Sequence, residues 1–157
     1  MADDDALLTR TFELAEQARA AGDHPFGALL AVDGEIVAEA LNRVNTNRDV
    51  TAHAETALVR LLEGQGRADQ LARGTVFASC EPCPLCVGAM FWAGARRVVY
   101  GLSASRLMAL ATRPGEQPVG FTITATEIGA AASPPMVFRG PQREDEAAAA
   151  HRGFWRP

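Results

Sequence analysis

His53 and Glu55 stand two positions apart, and about thirty residues later Cys83 and Cys86 stand three apart in Pro82-Cys83-Pro84-Leu85-Cys86. An imidazole and two thiols are zinc-ligand types. Structural zinc sites close with four protein ligands, whereas a catalytic site keeps one position for water. Three ligands here leave that position open. On zinc the water pKa falls to roughly 7, so hydroxide is available at neutral pH. Glu55, beside His53, can take the water's proton, pass it to a ring nitrogen and later protonate a departing amine. The implied chemistry is hydrolysis that displaces ammonia from a ring.

Blander readings of the same residues are weaker. A CxxC alone also fits thioredoxin-like redox chemistry or a zinc ribbon. The accompanying His-x-Glu argues against redox, and a ribbon wants a second CxxC that is missing. A zinc-stabilised module without catalysis has no need of the unliganded acid Glu55. Cys80 reads as a small buried residue at a strand end, since three ligands are already assigned. His24 and His151 belong to no ligand pair and read as loop or surface histidines.

The elements that must position these groups follow from periodicity and punctuation. Asp5 is expected to cap a helix over 6–21 that ends at Gly22. Strands are expected over 26–32 and 35–41, joined by the hairpin pair Asp33-Gly34. Residues 42–50 read as a loop. A helix over 51–63 would carry His53 and Glu55 in its opening turn. A strand at 75–79 leads to a helix over 83–93, with Pro84 in the first turn, where it is tolerated. Two helix N-termini would then face one ion, and their positive ends favour thiolates. A strand at 97–101, a helix from Ser103 to about Ala111, a helix over 124–132, a strand at 136–139 and a helix over 141–151 complete the expectation. Alternating strands and helices with one hairpin imply an α/β fold on a mixed sheet.

The 157 residues suit a single domain spanning 1–157. No apolar run approaches a membrane span, and the acidic start is unlike a signal peptide, so a cytoplasmic location is expected. The net charge is −4 and all fifteen basic residues are arginine. Gripping a nucleic-acid backbone normally demands a basic excess, so the balance counts against a nucleic-acid partner.

The runs His24-Pro25-Phe26-Gly27-Ala28, Asn42, Thr51-Ala52-His53-Ala54-Glu55 and Ser79 to Met90 resemble the cytidine deaminase-like superfamily, in particular its guanine deaminase and tRNA adenosine deaminase branch. His-x-Glu followed by Pro-Cys-x-x-Cys is the known zinc-deaminase signature. The resemblance implies a three-layer α/β/α sandwich on a five-stranded mixed sheet with strands four and five parallel, one zinc per chain and a homodimer. It makes His53, Cys83 and Cys86 the zinc ligands and Glu55 the proton shuttle. It also implies substrate contacts from Phe26, Asn42, Ala54 and Trp92. From the C-terminal segment, 141–157, it implies closure of the pocket, with Glu144, Asp145, Phe154 and Trp155 as candidates. The expected substrate is a free nucleobase or nucleoside: guanine, isoguanine, cytosine, 5-azacytosine or an aminotriazine. The alternative is a tRNA adenosine.

Overall fold

The computed structural model describes residues 3–155. Its first helix, α1 (Asp4–Ala20), is capped two residues earlier than expected: Asp3, not Asp5, accepts the Ala6 N–H at 2.8 Å. Strands β1 (Gly27–Val32) and β2 (Glu35–Leu41) form the hairpin. Asp33 and Gly34 both have positive φ, 52° and 79°, the backbone a two-residue turn of this twist needs. The expected loop at 42–50 contains a one-turn helix, α2 (Val44–Asn47), closed by left-handed Arg48.

Helix α3 (Ala54–Gly64) starts later than periodicity suggested, because His53 is its extended N-cap. A short helix, α4 (Asp69–Arg73), escaped the sequence reading; five residues are too few to show a helical period. Strand β3 (Thr75–Cys80), helix α5 (Pro84–Trp92) and strand β4 (Arg97–Leu102) follow. Helix α6 (Ala104–Ala111) is capped by the Ser103 hydroxyl, and α7 (Ala125–Ala131) by a reciprocal Thr124–Glu127 box. Strand β5 (Val137–Arg139) is short. The expected final helix is broken into α8 (Glu144–Ala147) and a 3₁₀ turn at Ala149–His151. Left-handed Arg143 immediately precedes α8, so the helix cannot begin near Pro141.

Among the described residues the strands form one sheet, ordered β2-β1-β3-β4-β5. The β1 pairings are antiparallel, while β3–β4 and β4–β5 are parallel. The period of two along each strand separates the cores. Ala28, Leu30, Val76 and Val98 pack with α3, α5 and α7 on one face. Leu29, Ala31, Phe77 and Val99 pack with Leu7, Leu8 and Leu14 of α1 on the other. This is the α/β/α sandwich. At Gly27 a Cβ would meet the Leu14 side chain and come within 2.7 Å of the Thr11 carbonyl, so only glycine lets α1 seat this closely on β1. A third cluster joins Cys80 and Leu102, at the ends of β3 and β4, to Ala147 and Ala148 of the tail.

Candidate active site

The metal motif sits where two parallel strands end and two helices begin. Cys83 is the N-cap of α5, with Pro84 fixing the first helical φ, and Cys86 lies one turn on. His53 caps α3. Its Nδ1 lies 3.5 Å from Cys83 Sγ and 3.4 Å from Cys86 Sγ, and the two sulfurs are 3.7 Å apart. Tetrahedral zinc, at about 2.3 Å from sulfur and about 2.0 Å from nitrogen, demands edges of about 3.8 Å between sulfurs and about 3.5 Å between sulfur and nitrogen. The three donors match that triangle, so the residues fit the ion. Cys80 is buried nearby but stands outside the group.

The electrostatics suit a cation as well. Contact with Cys86, and then with His53, lowers the Cys83 thiol to about 4. Cys86 is pushed up by that same neighbour and by burial. Glu55, 8% exposed in the first turn of α3, sets its Oε2 3.4 Å from Cys86 Sγ. Burial raises its carboxyl above the ordinary range, so it can hold as well as release a proton.

A cavity of about 200 Å³ opens on this group, walled by His24, Phe26, Asn42, Glu81 and Leu107. Asn42 is buried, and its Oδ1 accepts the Val44 N–H at 3.0 Å, which leaves the Nδ2 donor for the cavity. Ala54 turns its methyl into the core, so a ligand could meet only its backbone.

Other expected contacts lie elsewhere. Trp92 is 85% exposed and borders a separate groove with Val59 and Leu85. It stands at the far end of α5, nine residues beyond Cys83 or about 13 Å along the axis, so its own chain does not bring it to the cavity. Glu144 Oε1 accepts the Ser103 N–H at 2.9 Å and the Ser103 hydroxyl at 2.6 Å. Asp145, with its side chain 86% exposed, pairs with Arg106 at 2.6 Å. These acids fasten the tail to α6 and do not point at the cavity.

Phe154 and Trp155 form a layer behind the wall. Their rings lie 6.0 and 5.3 Å from His24, and Trp155 is 6.2 Å from Phe26. His151 is not a surface histidine. It is 2% exposed and packs edge-on against Phe26 at 5.1 Å, because the 3₁₀ turn tucks it under the tail. His24, Glu81 and Leu107 had not been expected in the wall. Glu81, an acid inside the metal motif, carried a usable sequence signal, whereas Leu107 arrives only through the placement of α6.

The profile of the cytidine and deoxycytidylate deaminase zinc-binding region matches residues 1–102. A protein of Schizosaccharomyces pombe named probable cytosine deaminase is 41% identical over 151 residues, 96% of this chain and 91% of its own. Guanine deaminase of Bacillus subtilis is 42% identical over 97 residues, 61% of this chain and 62% of its own. The structure of guanine deaminase from Nitrosomonas europaea superposes with a TM-score of 0.77 over 98% of this chain and 85% of that one, at 24% identity, and so shares the fold. With a His, Cys, Cys group of zinc-binding geometry beside a buried glutamate, the chain belongs to the cytidine and deoxycytidylate deaminase zinc-binding family and is a hydrolytic deaminase.

Proposed function

We propose that the protein deaminates a free nucleobase, with a single aminopyrimidine ring of the cytosine type as the foremost substrate. The cavity carries this reading. At about 200 Å³ it lies below the roughly 300–1,000 Å³ of pockets for drug-sized ligands, a size suited to one heterocycle. The relative named for cytosine deamination also aligns through the tail, whereas the guanine deaminase aligns over 61% of the chain.

Held by His53, Cys83 and Cys86, zinc would supply hydroxide at neutral pH. Phe26 offers its ring face to the base, and Asn42 Nδ2 donates to a ring carbonyl. Glu55 carries a proton to the ring nitrogen and then to the exocyclic nitrogen. Base and water thus become the oxo-base and ammonia. The walls keep bulk water from the carboxylate, which keeps its pKa high. All three cysteines are free, as is usual in a reducing compartment, which is consistent with action in the cytoplasm. The exposed Leu85 and Trp92, side by side along an open groove, support a second copy of the chain covering this face as a homodimer.

Ammonia release by the zinc-loaded protein on cytosine, 5-azacytosine, guanine, isoguanine, adenine and their nucleosides tests the reading, with Glu55→Ala alongside. Turnover of cytosine that disappears in the variant supports it. Turnover of guanine alone reassigns the ring. Silence on every base and nucleoside, with inosine formed in tRNA, replaces this reading with tRNA editing. Sedimentation of a monomer at micromolar concentration would remove the dimer.

A further inference from the structure

Glu81 lies between the end of β3 and the ligand Cys83, 9% exposed in the cavity wall. Both of its oxygens are engaged by backbone. Oε2 accepts the Ala104 N–H and Oε1 the Ala125 N–H, each at 2.9 Å. These are the first residues of α6 and α7. A helix's first N–H has no intrahelical acceptor. The cap side chains Ser103 and Thr124 are directed instead to the N–H groups of Arg106 and Glu127. Glu81 therefore fills a need that neither cap meets, and two positive helix ends converge on one anion. Its own N–H donates to the Leu102 carbonyl at 2.7 Å, at the strand end that leads into α6.

What this carboxylate joins gives it a consequence for binding. On one side, two residues away, is the ligand Cys83. On the other is α6, whose Leu107 forms part of the same cavity wall. The second acid at the start of α6, Glu144, binds Ser103 from the tail and is not among the groups lining the cavity. With both oxygens accepting backbone N–H groups, Glu81 is placed to hold structure and not to shuttle protons. We infer that Glu81 is a positioning residue that sets the spacing between the metal turn and the starts of α6 and α7, and through Leu107 of α6 the fit of the substrate ring. The ring in question rests on the base-deaminase reading above.

The test compares zinc-loaded full-length protein with Glu81→Gln, Glu81→Asp, Leu107→Ala and the Glu81→Gln/Leu107→Ala double variant. Cytosine deamination is measured together with zinc content and with amide hydrogen exchange in substrate-free protein. In Glu81→Gln, KM should rise about tenfold with kcat changed less than about threefold, the mark of lost ground-state fit. Glu81→Asp, charged but shorter, should fall between. The double variant should be no worse than the poorer single one, since both alter one wall. Exchange should quicken at Ala104 and Ala125 while α3 and α5 keep their protection. Zinc loss, a fall in kcat at constant KM, or additive effects on KM would overturn the inference. If Glu81→Gln does not fold, Glu81→Asp decides by the same readouts; if neither folds with zinc, Glu81 holds the metal turn itself and the inference is wrong. Should wild type turn over no base, the base-deaminase reading fails separately, and unchanged exchange in α6 and α7 then sinks this one.

Discussion

Trp155 donates its indole N–H to Nδ1 of His151, 3.2 Å away and four residues earlier in the chain. The bond assigns the proton of the neutral imidazole to Nε2, and that atom is buried with no partner among the described residues. Arg19 of α1 holds the same stretch by donating to the carbonyls of Ala150 and Arg152 at 2.9 and 2.7 Å. The tail's aromatic layer behind Phe26 is thus pinned at two points.

That pin is pH-sensitive. Burial, and next the Arg19 charge, lower His151 from 6.5 to about 4. The unfolded chain takes up the proton below about 6.5 while the folded one resists until about 4, so stability is complete above the first value and lost toward the second. Urea melts of wild type should lose up to ~3 kcal/mol more than His151→Phe over that window. Equal losses in the two proteins would show that His151 is not the group responsible.

Glu55 stands beside the ligand trio without belonging to it. Glu55→Gln should therefore keep its zinc, measured by elemental analysis, while kcat drops by about 10²–10⁴, the usual worth of a positioned proton carrier. A variant that keeps wild-type turnover would dismiss the carboxylate from the mechanism.

Zinc should clamp α3 to α5, because its ligands cap or open both helices. At about 100 times Kd, a bound ion adds about 2.7 kcal/mol. Chelation should then lower Tm by roughly 5–10 °C, on the scale of about 2–4 °C per kcal/mol for chains of this size. Cys86→Ala should abolish the chelator-dependent shift and Cys80→Ala should preserve it. A Cys80→Ala protein indifferent to chelator would mean that the ligand set is drawn wrongly.

Glu144 supports α6 from the tail side. Replacing it by Ala should cost about 1–2 kcal/mol in denaturant melts, the range for a lost helix cap. The ranking of bases by kcat/KM should stay as in wild type. A changed ranking would return Glu144 to the substrate-contact role that its place in the acidic tail had suggested.

Much of the site was legible in the chain because its information is local. His53, Glu55, Cys83 and Cys86 fall within two short segments, and Pro84 marks the start of α5, although α3 begins three residues later than expected. The layered fold was legible too, since its central strands are short apolar runs buried on both faces and Asp33-Gly34 accepts positive φ. Contacts between distant segments were not, because no local period encodes them. Glu144 and Asp145 looked free to meet a substrate until folding set Ser103 and Arg106 beside them. Trp92 looked like a pocket aromatic until the length of α5 carried it to an exposed groove. Glu81 fell between an expected strand and an expected helix, and only the convergence of α6 and α7 on its carboxylate gives it a place in the cavity wall. Ligand identity comes from residue type and spacing, whereas the cavity's walls come from which helix ends and side chains the sheet order brings together.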